Sequence, residues 1–304
     1  MRSVLSCAIL LFVPSISLAQ TEGMIKEVEN RLGSLRFVAA LQDDQTSGFK
    51  ATPGGKPSLR ATSSAVRTWK YLGGAKLGSE FPHKAKAAAF VMSCYDPKTG
   101  GFADAPGGKP DVATTAVGVM AAVEFEAPKE KFAKALDYLK ANAKSFEDVR
   151  IGAAAVEAWG VKECPFDLKP WLVIADNYET NRSPSAPGDV ARVTASVAAM
   201  RLRLGQTLER RADVLATLRK GQQPDGGWAA ADGKGSDAET TYRVMRAFML
   251  LKEKPNDPAK VREFLARCRN ADNGYGTKPD EPSTLSGVYY AAIIGMWLAE
   301  LEKK

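Results

Sequence analysis

Two carboxyl groups, Asp237 and Glu239, are the strongest candidates for chemistry in this sequence. A carboxyl buried in an apolar cavity has a raised pKa and can act as a general acid. The alternative for Asp237 is a helix N-cap, because it stands immediately before a helix rich in small residues. Residues of N-cap type occupy the same place in four other segments, at Ser58, Asp111, Asp148 and Asp189. Only the Asp237 segment adds a second acid two residues later, so both interpretations stay open.

Arginine side chains supply a second candidate site, for anions. Arg192 and Arg243 lie in the first turns of two predicted helices, and Arg60 and Arg150 hold similar places in two others. Helix N-termini carry partial positive charge, so several of them at one cavity mouth would bind a carboxylate or a diphosphate together with these side chains. The alternative is that each arginine points outward and pairs with a neighbouring acid.

The composition limits other chemistry. The chain has 304 residues, of which 45% are hydrophobic, and 42 Lys plus Arg against 35 Asp plus Glu give a net charge of +7. These values are typical of a globular protein. His83 is the single histidine, so a His-rich metal site is excluded. The basic residues are interspersed with acids, which argues against a nucleic-acid partner.

The amino terminus has the pattern of a secretory signal. Residues 1–19 combine the basic Arg2, an apolar stretch and small residues before a cleavage point at Gln20. This pattern predicts export to the periplasm or the cell exterior. No later segment is apolar enough to span a bilayer. Cleavage leaves three cysteines, Cys94, Cys164 and Cys268. We expect Cys94 and Cys268 to be buried structural thiols.

The remaining residues, 20–304, form one domain built from repeats. Six related units begin at Phe37, Phe90, Asp137, Trp171, Leu215 and Phe264. A full unit has an apolar-periodic helix, a turn rich in Gly, Asp and Pro, and a second helix rich in Ala, Val and Thr. In four units an aromatic residue follows a glycine in the turn, at Phe49, Phe102, Trp228 and Tyr275. We expect each ring to fill the gap between neighbouring hairpins.

The repeats predict an all-α fold, a single α/α toroid of six helical hairpins with an inner and an outer ring of helices. An open superhelix is the alternative for an array of helical hairpins. Closure is favoured because the copies vary in length. Trp297 and Leu298 also leave the last helix without a polar capping face.

The second unit carries a family resemblance in residues 90–94 (FVMSC), 100–102 (GGF) and 114–117 (TTAV). It resembles the repeat of the prenyltransferase and squalene-cyclase superfamily, closest to the beta subunit of protein geranylgeranyl transferases. The resemblance implies an α/α toroid. It also implies a zinc site made by an Asp, a Cys two residues later and a His on the next inner helix. Asp237 matches the Asp, whereas Glu239 and Ser283 replace the other two ligands.

The resemblance also implies acid chemistry, since squalene-type cyclases carry an acidic motif whose central Asp protonates the substrate. Residues 237–241 (DAETT) are loosely similar to that motif. The first functional hypothesis is an exported prenyltransferase-like toroid that binds an isoprenoid or another apolar-chain anionic ligand in its central cavity, with zinc as the implied cofactor. The second is a non-catalytic binding or scaffold protein that takes a ligand or a protein partner. The third is a saccharide hydrolase or lyase.

Overall fold

The computed structural model describes residues 18–181, 187–229 and 234–303, and these are mainly α-helical. Residues 1–17 of the predicted signal lie outside these ranges. The outer helices are α1 (Leu18–Ala40), α3 (Lys84–Ser93), α5 (Lys134–Asn142), α7 (Lys169–Asn181), α9 (Arg211–Lys220) and α11 (Pro258–Arg267). The inner helices are α2 (Leu59–Tyr71), α4 (Val112–Glu124), α6 (Phe146–Trp159), α8 (Pro187–Arg203), α10 (Ala238–Leu251) and α12 (Leu285–Glu302). Within these ranges, no helix has both the length and the apolar character needed to cross a membrane.

The inner helices form a closed ring. Each inner helix from α2 to α10 packs against the next one, and α12 packs against α2. The contact between α12 and α2 excludes an open superhelix. The predicted all-α toroid of six hairpins is therefore confirmed.

One backbone hydrogen bond recurs at three places in the ring, where it joins a hairpin to the loop of the next one. The donors are the N–H groups at the start of α2, α10 and α12. The pairs are Leu59 to Asp104 at 2.8 Å, Ala238 to Thr277 at 2.8 Å and Leu285 to Ala51 at 2.9 Å. The last bond connects the sixth hairpin to the first. The contact that joins successive hairpins along the chain therefore also closes the ring.

Three of the four aromatic residues predicted to fill the turns are fully buried: Phe49, Phe102 and Trp228. The fourth, Tyr275, is half-buried. Burial of each ring contributes on the order of 2 kcal/mol. Gly118 on α4 permits this packing, because a Cβ at that position would lie 2.3 Å from the Phe102 ring.

Short antiparallel strand pairs hold two of these turns. Strand β1 (Phe49–Lys50) pairs with β2 (Pro57–Ser58), and β3 (Trp228–Ala229) pairs with β4 (Ser236–Asp237). In each pair the aromatic residue lies opposite the residue that caps the inner helix: Phe49 opposite Ser58, and Trp228 opposite Asp237. The turn therefore fixes the start of the inner helix relative to the buried ring.

The predicted helix caps are only partly right. Ser58, Asp111 and Asp237 accept hydrogen bonds from backbone N–H groups in the first turns of their helices. Asp148 was expected to cap α6, but the cap is Ser145, and Asp148 is its partner in a capping box. Asp189 lies within the first turn of α8. These two units lack the Gly-aromatic turn, so their helices begin at different points from the others.

The cysteine prediction is confirmed for the two residues it concerns. Cys94 and Cys268 are buried at equivalent positions, at the ends of α3 and α11. Burial raises the pKa of each thiol to about 12. Such thiols are protonated and inert at neutral pH.

Candidate functional site

The ring encloses a central cavity of about 440 Å³, lined by side chains from all six inner helices. Cavities of this size are typical of small-molecule sites. The two sides of the cavity differ in chemistry. One wall, from α4 and α6, carries the apolar side chains of Val117, Met120, Val123, Ile151, Ala154 and Ala158, together with the charged Glu124, Arg150 and Glu157. The opposite side carries charged and phenolic side chains from α2, α8, α10 and α12.

The cations of this side include three arginines, Arg67 on α2, Arg203 on α8 and Arg246 on α10. Lys70 and Arg243 also line it, and each is paired with a carboxylate. Arg203 is 8% exposed, and its Nε lies 3.1 Å from a carboxylate oxygen of Glu157. Among the described residues, neither Arg67 nor Arg246 has a carboxylate within 4 Å. An isolated charge in a partly buried place is costly, so an arginine retained there without an acid is a functional-site candidate.

Aromatic rings position the two unpaired guanidiniums. Arg67 donates from Nη1 to the Tyr289 hydroxyl at 3.1 Å, and its Cζ lies 4.7 Å from the centre of that ring. The Cζ of Arg246 lies 4.5 Å from the ring of Trp297. The Nε of Arg246 is buried and has no hydrogen-bond partner among the described residues. In these contacts each guanidinium lies over the face of an aromatic ring, so N–H groups of both arginines remain available to donate hydrogen bonds to a ligand.

Tyr242 lies at the centre of the aromatic cluster. Its ring stacks on Trp297 at 5.5 Å between centres and lies 5.8 Å from Tyr289 and 5.2 Å from Tyr290. Burial alone would raise the pKa of the Tyr242 phenol. The guanidiniums of the cavity outweigh burial and lower the pKa of Tyr242 to about 6. Tyr289 and Tyr290 have raised pKa values, mainly because they are buried.

The mouth of the cavity, at the N-terminal ends of the inner helices, is neutralised by ion pairs. Arg243 on α10 contacts Glu239 at 2.8 Å and Glu147 on α6 at 3.2 Å. Arg150 contacts Glu147 at 2.8 Å. Helices α6 and α10 are not neighbours in the ring, so the Glu147–Arg243 pair spans the mouth across α8.

The predicted acid pair is divided between two environments. Asp237 is buried and does not line the cavity, whereas Glu239 lines the cavity mouth with its side chain half exposed. The Asp237 carboxylate accepts from the N–H of Thr240 at 2.7 Å and from the Thr240 hydroxyl at 2.8 Å. Burial raises the pKa of Asp237, although these two bonds oppose the change. The general-acid role of Asp237 and Glu239 stays a prediction.

The residues at the implied zinc position do not fit that metal. Ser283, which stands where the resemblance places a histidine, donates to Asp272 at 2.7 Å and accepts from the side chain of Asn270 at 2.9 Å. Ser236 makes the equivalent bond to Asp225 at 2.7 Å in the preceding unit. Both serines therefore close a loop. In the part of the chain that the structure describes, no group of three or more His, Cys, Asp or Glu residues could hold a metal ion.

The four arginines predicted for the mouth all have carboxylate partners. Arg60 lies 3.8 Å from Asp111, and Arg192 lies 3.1 Å from the buried Asp189. Arg150 and Arg243 belong to the mouth pairs described above. Arg192 does not line the central cavity, whereas Arg243 does. The anion site predicted at Arg192 and Arg243 is therefore not one cluster, and the ligand-binding role of each stays a prediction.

Arg67 and Arg246, which the sequence reasoning missed, hold equivalent places in two repeats. Each is the ninth residue after the N-cap of its inner helix. The same position holds Met120, Ala154 and Ile293 in other units. A charged residue at a place where its counterparts are apolar is a signal that a repeat alignment could have detected.

A second cavity of about 620 Å³ lies between α7, α8 and the loop before α9. Arg201 is a cation of its lining, and it is paired with both Asp176 and Glu179. This cavity is lined by one part of the ring, whereas the central cavity collects side chains from the whole ring. We therefore consider the central cavity the candidate functional site.

The prenyltransferase alpha-alpha toroid domain model matches residues 68–139 and 132–304. Among solved structures, the chain is similar to the type II terpene cyclase MstE from Scytonema in complex with its substrate, geranylgeranyl dihydroxybenzoate. Identity is 12% and the TM-score is 0.62, over 93% of this chain and 100% of that chain. An apo structure of the cyclase matches at 13% identity and a TM-score of 0.60, over 93% and 99% of the two chains. At these identities the likeness shows the fold. No curated protein matches the chain.

Proposed function

The chain belongs to the prenyltransferase alpha-alpha toroid family, and we propose that it is an exported member that binds an anionic ligand with an apolar body in its central cavity. The observation that carries this proposal is the pair Arg67 and Arg246. Both guanidiniums line the central cavity, and neither has a carboxylate partner among the described residues. An anionic group bound between them would supply the missing negative charge.

The second feature in favour of this ligand class is the contrast between the two sides of the cavity. The aliphatic side chains of α4 and α6 offer a surface for a hydrocarbon body, such as an isoprenoid chain. Arg67, Arg203 and Arg246 are contributed by α2, α8 and α10. A ligand with a hydrocarbon part and one anionic end can bury its hydrocarbon part against the apolar side chains, while its anionic end neutralises the arginines.

The lining does not favour a cyclase. An acid that protonates an alkene creates a carbocation, and the guanidiniums of Arg67, Arg203 and Arg246 would repel it. It also does not favour zinc-dependent prenyl transfer, because Ser283 is engaged in its loop. Ligand binding is therefore the function that we propose, and catalysis is not part of it.

Isothermal titration with farnesyl diphosphate and with farnesol tests this proposal. We expect the diphosphate to bind and the neutral alcohol to bind at least about tenfold more weakly, since charge-assisted hydrogen bonds are lost. Arg246→Met should weaken diphosphate binding by at least about tenfold. The matched control is Arg262→Met, which replaces an exposed arginine paired with Glu302 on the outside of the ring. Equal affinities for the two ligands, or equal effects of the two substitutions, would contradict the proposal.

Export, the second part of the proposal, rests on the signal pattern of residues 1–19. Intact-mass analysis of the protein recovered outside the cytoplasm should give a chain that begins at Gln20. A chain that retains Met1, or protein found in the cytoplasmic fraction alone, would contradict export and leave the binding proposal intact.

A further inference from the structure

Tyr242 lines the central cavity together with the guanidiniums of three arginines. Three guanidiniums act on its hydroxyl group: those of Arg246 on its own helix, Arg203 on α8 and Arg67 on α2. The other titratable groups that line this cavity are Glu157 on α6, which pairs with Arg203, Tyr71 on α2, and Tyr289 and Tyr290 on α12. The remaining charged groups of the lining are all ion-paired: Lys70, Glu124, Arg150, Glu239 and Arg243. The Cζ of Arg246 lies 5.8 Å from the centre of the Tyr242 ring, and the Tyr289 ring lies at the same distance.

A count of charges in the cluster shows what Tyr242 does in the absence of a ligand. Arg67, Arg203 and Arg246 are cations, and Glu157 is their carboxylate. Without another anion, two positive charges remain uncompensated in a partly buried site, which is energetically unfavourable. Ionisation of Tyr242 removes one of these charges, and the guanidiniums around Tyr242 favour it by lowering its pKa to about 6.

We propose that the Tyr242 phenolate is the resident counter-ion of Arg67, Arg203 and Arg246, and that the anionic group of the ligand replaces it while Tyr242 takes up one proton. This inference rests on the proposed function, because it concerns the same cavity. The proton comes from solvent and joins the phenolate oxygen, and no other bond forms or breaks. The neutral phenol can then donate a hydrogen bond to the anion that has displaced its charge.

The exchange couples binding to pH. Below the pKa of Tyr242 the phenol is already neutral, so an anion binds without proton uptake and its affinity is independent of pH. Above that pKa each binding event takes up one proton, so affinity falls by about tenfold for each further pH unit. Tyr242 is thus an affinity-determining residue whose removal strengthens binding at neutral and alkaline pH.

Sulfate is a suitable probe, because it stays fully ionised across this pH range and exchanges no proton itself. Sulfate affinity would be measured for the full chain between about pH 5 and pH 8. Tyrosinate absorbance in the ultraviolet would report the state of the phenol in the same titration. For the wild type we expect a flat affinity up to about pH 6, then a decline, with loss of tyrosinate absorbance as sulfate binds. For Tyr242→Phe we expect pH-independent binding, about 100-fold tighter than the wild type at about pH 8.

Tyr95→Phe is the control, because Tyr95 packs on Phe102 outside the central cavity and should behave like the wild type. If Tyr242→Phe binds sulfate no more tightly than the wild type at about pH 8, the inference is wrong. The same conclusion follows if sulfate binding leaves tyrosinate absorbance unchanged. In both cases the proposed function survives, since an anion still binds. Failure of both proteins to bind sulfate and farnesyl diphosphate would overturn the proposed function, and this inference with it.

Discussion

The Thr241 hydroxyl accepts a hydrogen bond from the backbone N–H of Trp228 at 3.1 Å, inside the core of the fifth repeat. The same bond recurs in two other units, from Phe49 to Thr62 at 2.9 Å and from Phe102 to Thr115 at 3.0 Å. It ties each buried aromatic to the inner helix that follows it. In these three units the turn is therefore joined to the inner helix by the same hydrogen bond as well as by hydrophobic contacts.

Thr241→Val should destabilise the protein by about 1–3 kcal/mol, because it leaves the buried N–H of Trp228 without a partner while keeping the side-chain volume. Chemical denaturation measures the change in the free energy of unfolding. Thr207→Val, at an exposed loop position, should change it by less than about 0.5 kcal/mol. Equal effects at both sites would mean that the recurring bond contributes nothing to stability.

Asp237→Ala should cost about 1 kcal/mol of stability, because the side chain caps α10, and Asp237→Asn should restore most of it. Asp111 is the matched control, since it caps α4 at the same place in the repeat. Thermal unfolding should give a similar loss for Asp111→Ala and Asp237→Ala. A much larger loss at Asp237, or one that Asn does not repair, would indicate a role beyond capping.

Arg67→Met should stabilise the ligand-free protein by about 1 kcal/mol, because it replaces a charge that lacks a carboxylate with the residue found at the equivalent Met120. The same substitution should weaken farnesyl diphosphate binding. Denaturation and calorimetry measure the two effects, with Arg262→Met as the control for both. A destabilised variant with unchanged affinity would assign Arg67 a purely structural role.

Glu147→Gln tests the ion pair across the cavity mouth. Burial alone would raise the pKa of Glu147, but Arg150 and Arg243 lower it below the usual 4.5. A lowered pKa means that the ionised group contributes stability above about pH 4.5, and that this contribution is lost as the pH falls further. We expect Glu147→Gln to cost about 0.5 kcal/mol at neutral pH, since Glu147 is half exposed.

The difference between wild type and Glu147→Gln should vanish in acid, where both side chains are neutral. Glu300→Gln, an exposed position without an ion pair among the described residues, should show no such dependence on pH. Thermal unfolding at several pH values measures both. A cost that persists below the pKa of Glu147 would mean that the substitution acts through packing and not through charge.

The fold was predictable from sequence because most repeats contain local features that mark their turn and their two helices. Gly-aromatic turns such as Gly101-Phe102 and small-residue inner helices mark the hairpins, and their number suffices to close a ring. The caps at Asp111 and Asp237 follow from the same pattern. Asp148 was misplaced because its unit lacks the Gly-aromatic turn that sets the register, and Ser145 offered a cap three residues earlier.

The candidate site was less predictable, because it depends on which helix faces meet at the axis. Arginines near helix starts, such as Arg192 and Arg243, were predicted for an anion site because helix N-termini attract anions. Asp189 neutralises Arg192 and Glu239 neutralises Arg243, and each acid lies within four residues of its arginine in the sequence. Arg67 and Arg246 line one cavity only after the ring closes, since they belong to the first and the fifth repeat.

A crystal structure of the protein with farnesyl diphosphate would locate both ends of the ligand in the ring. We expect the diphosphate within hydrogen-bond distance of the Arg67 and Arg246 guanidiniums, and the hydrocarbon chain against Val117, Met120 and Ile151. An empty central cavity, with the ligand bound at the outer surface or in reversed orientation, would contradict this expectation.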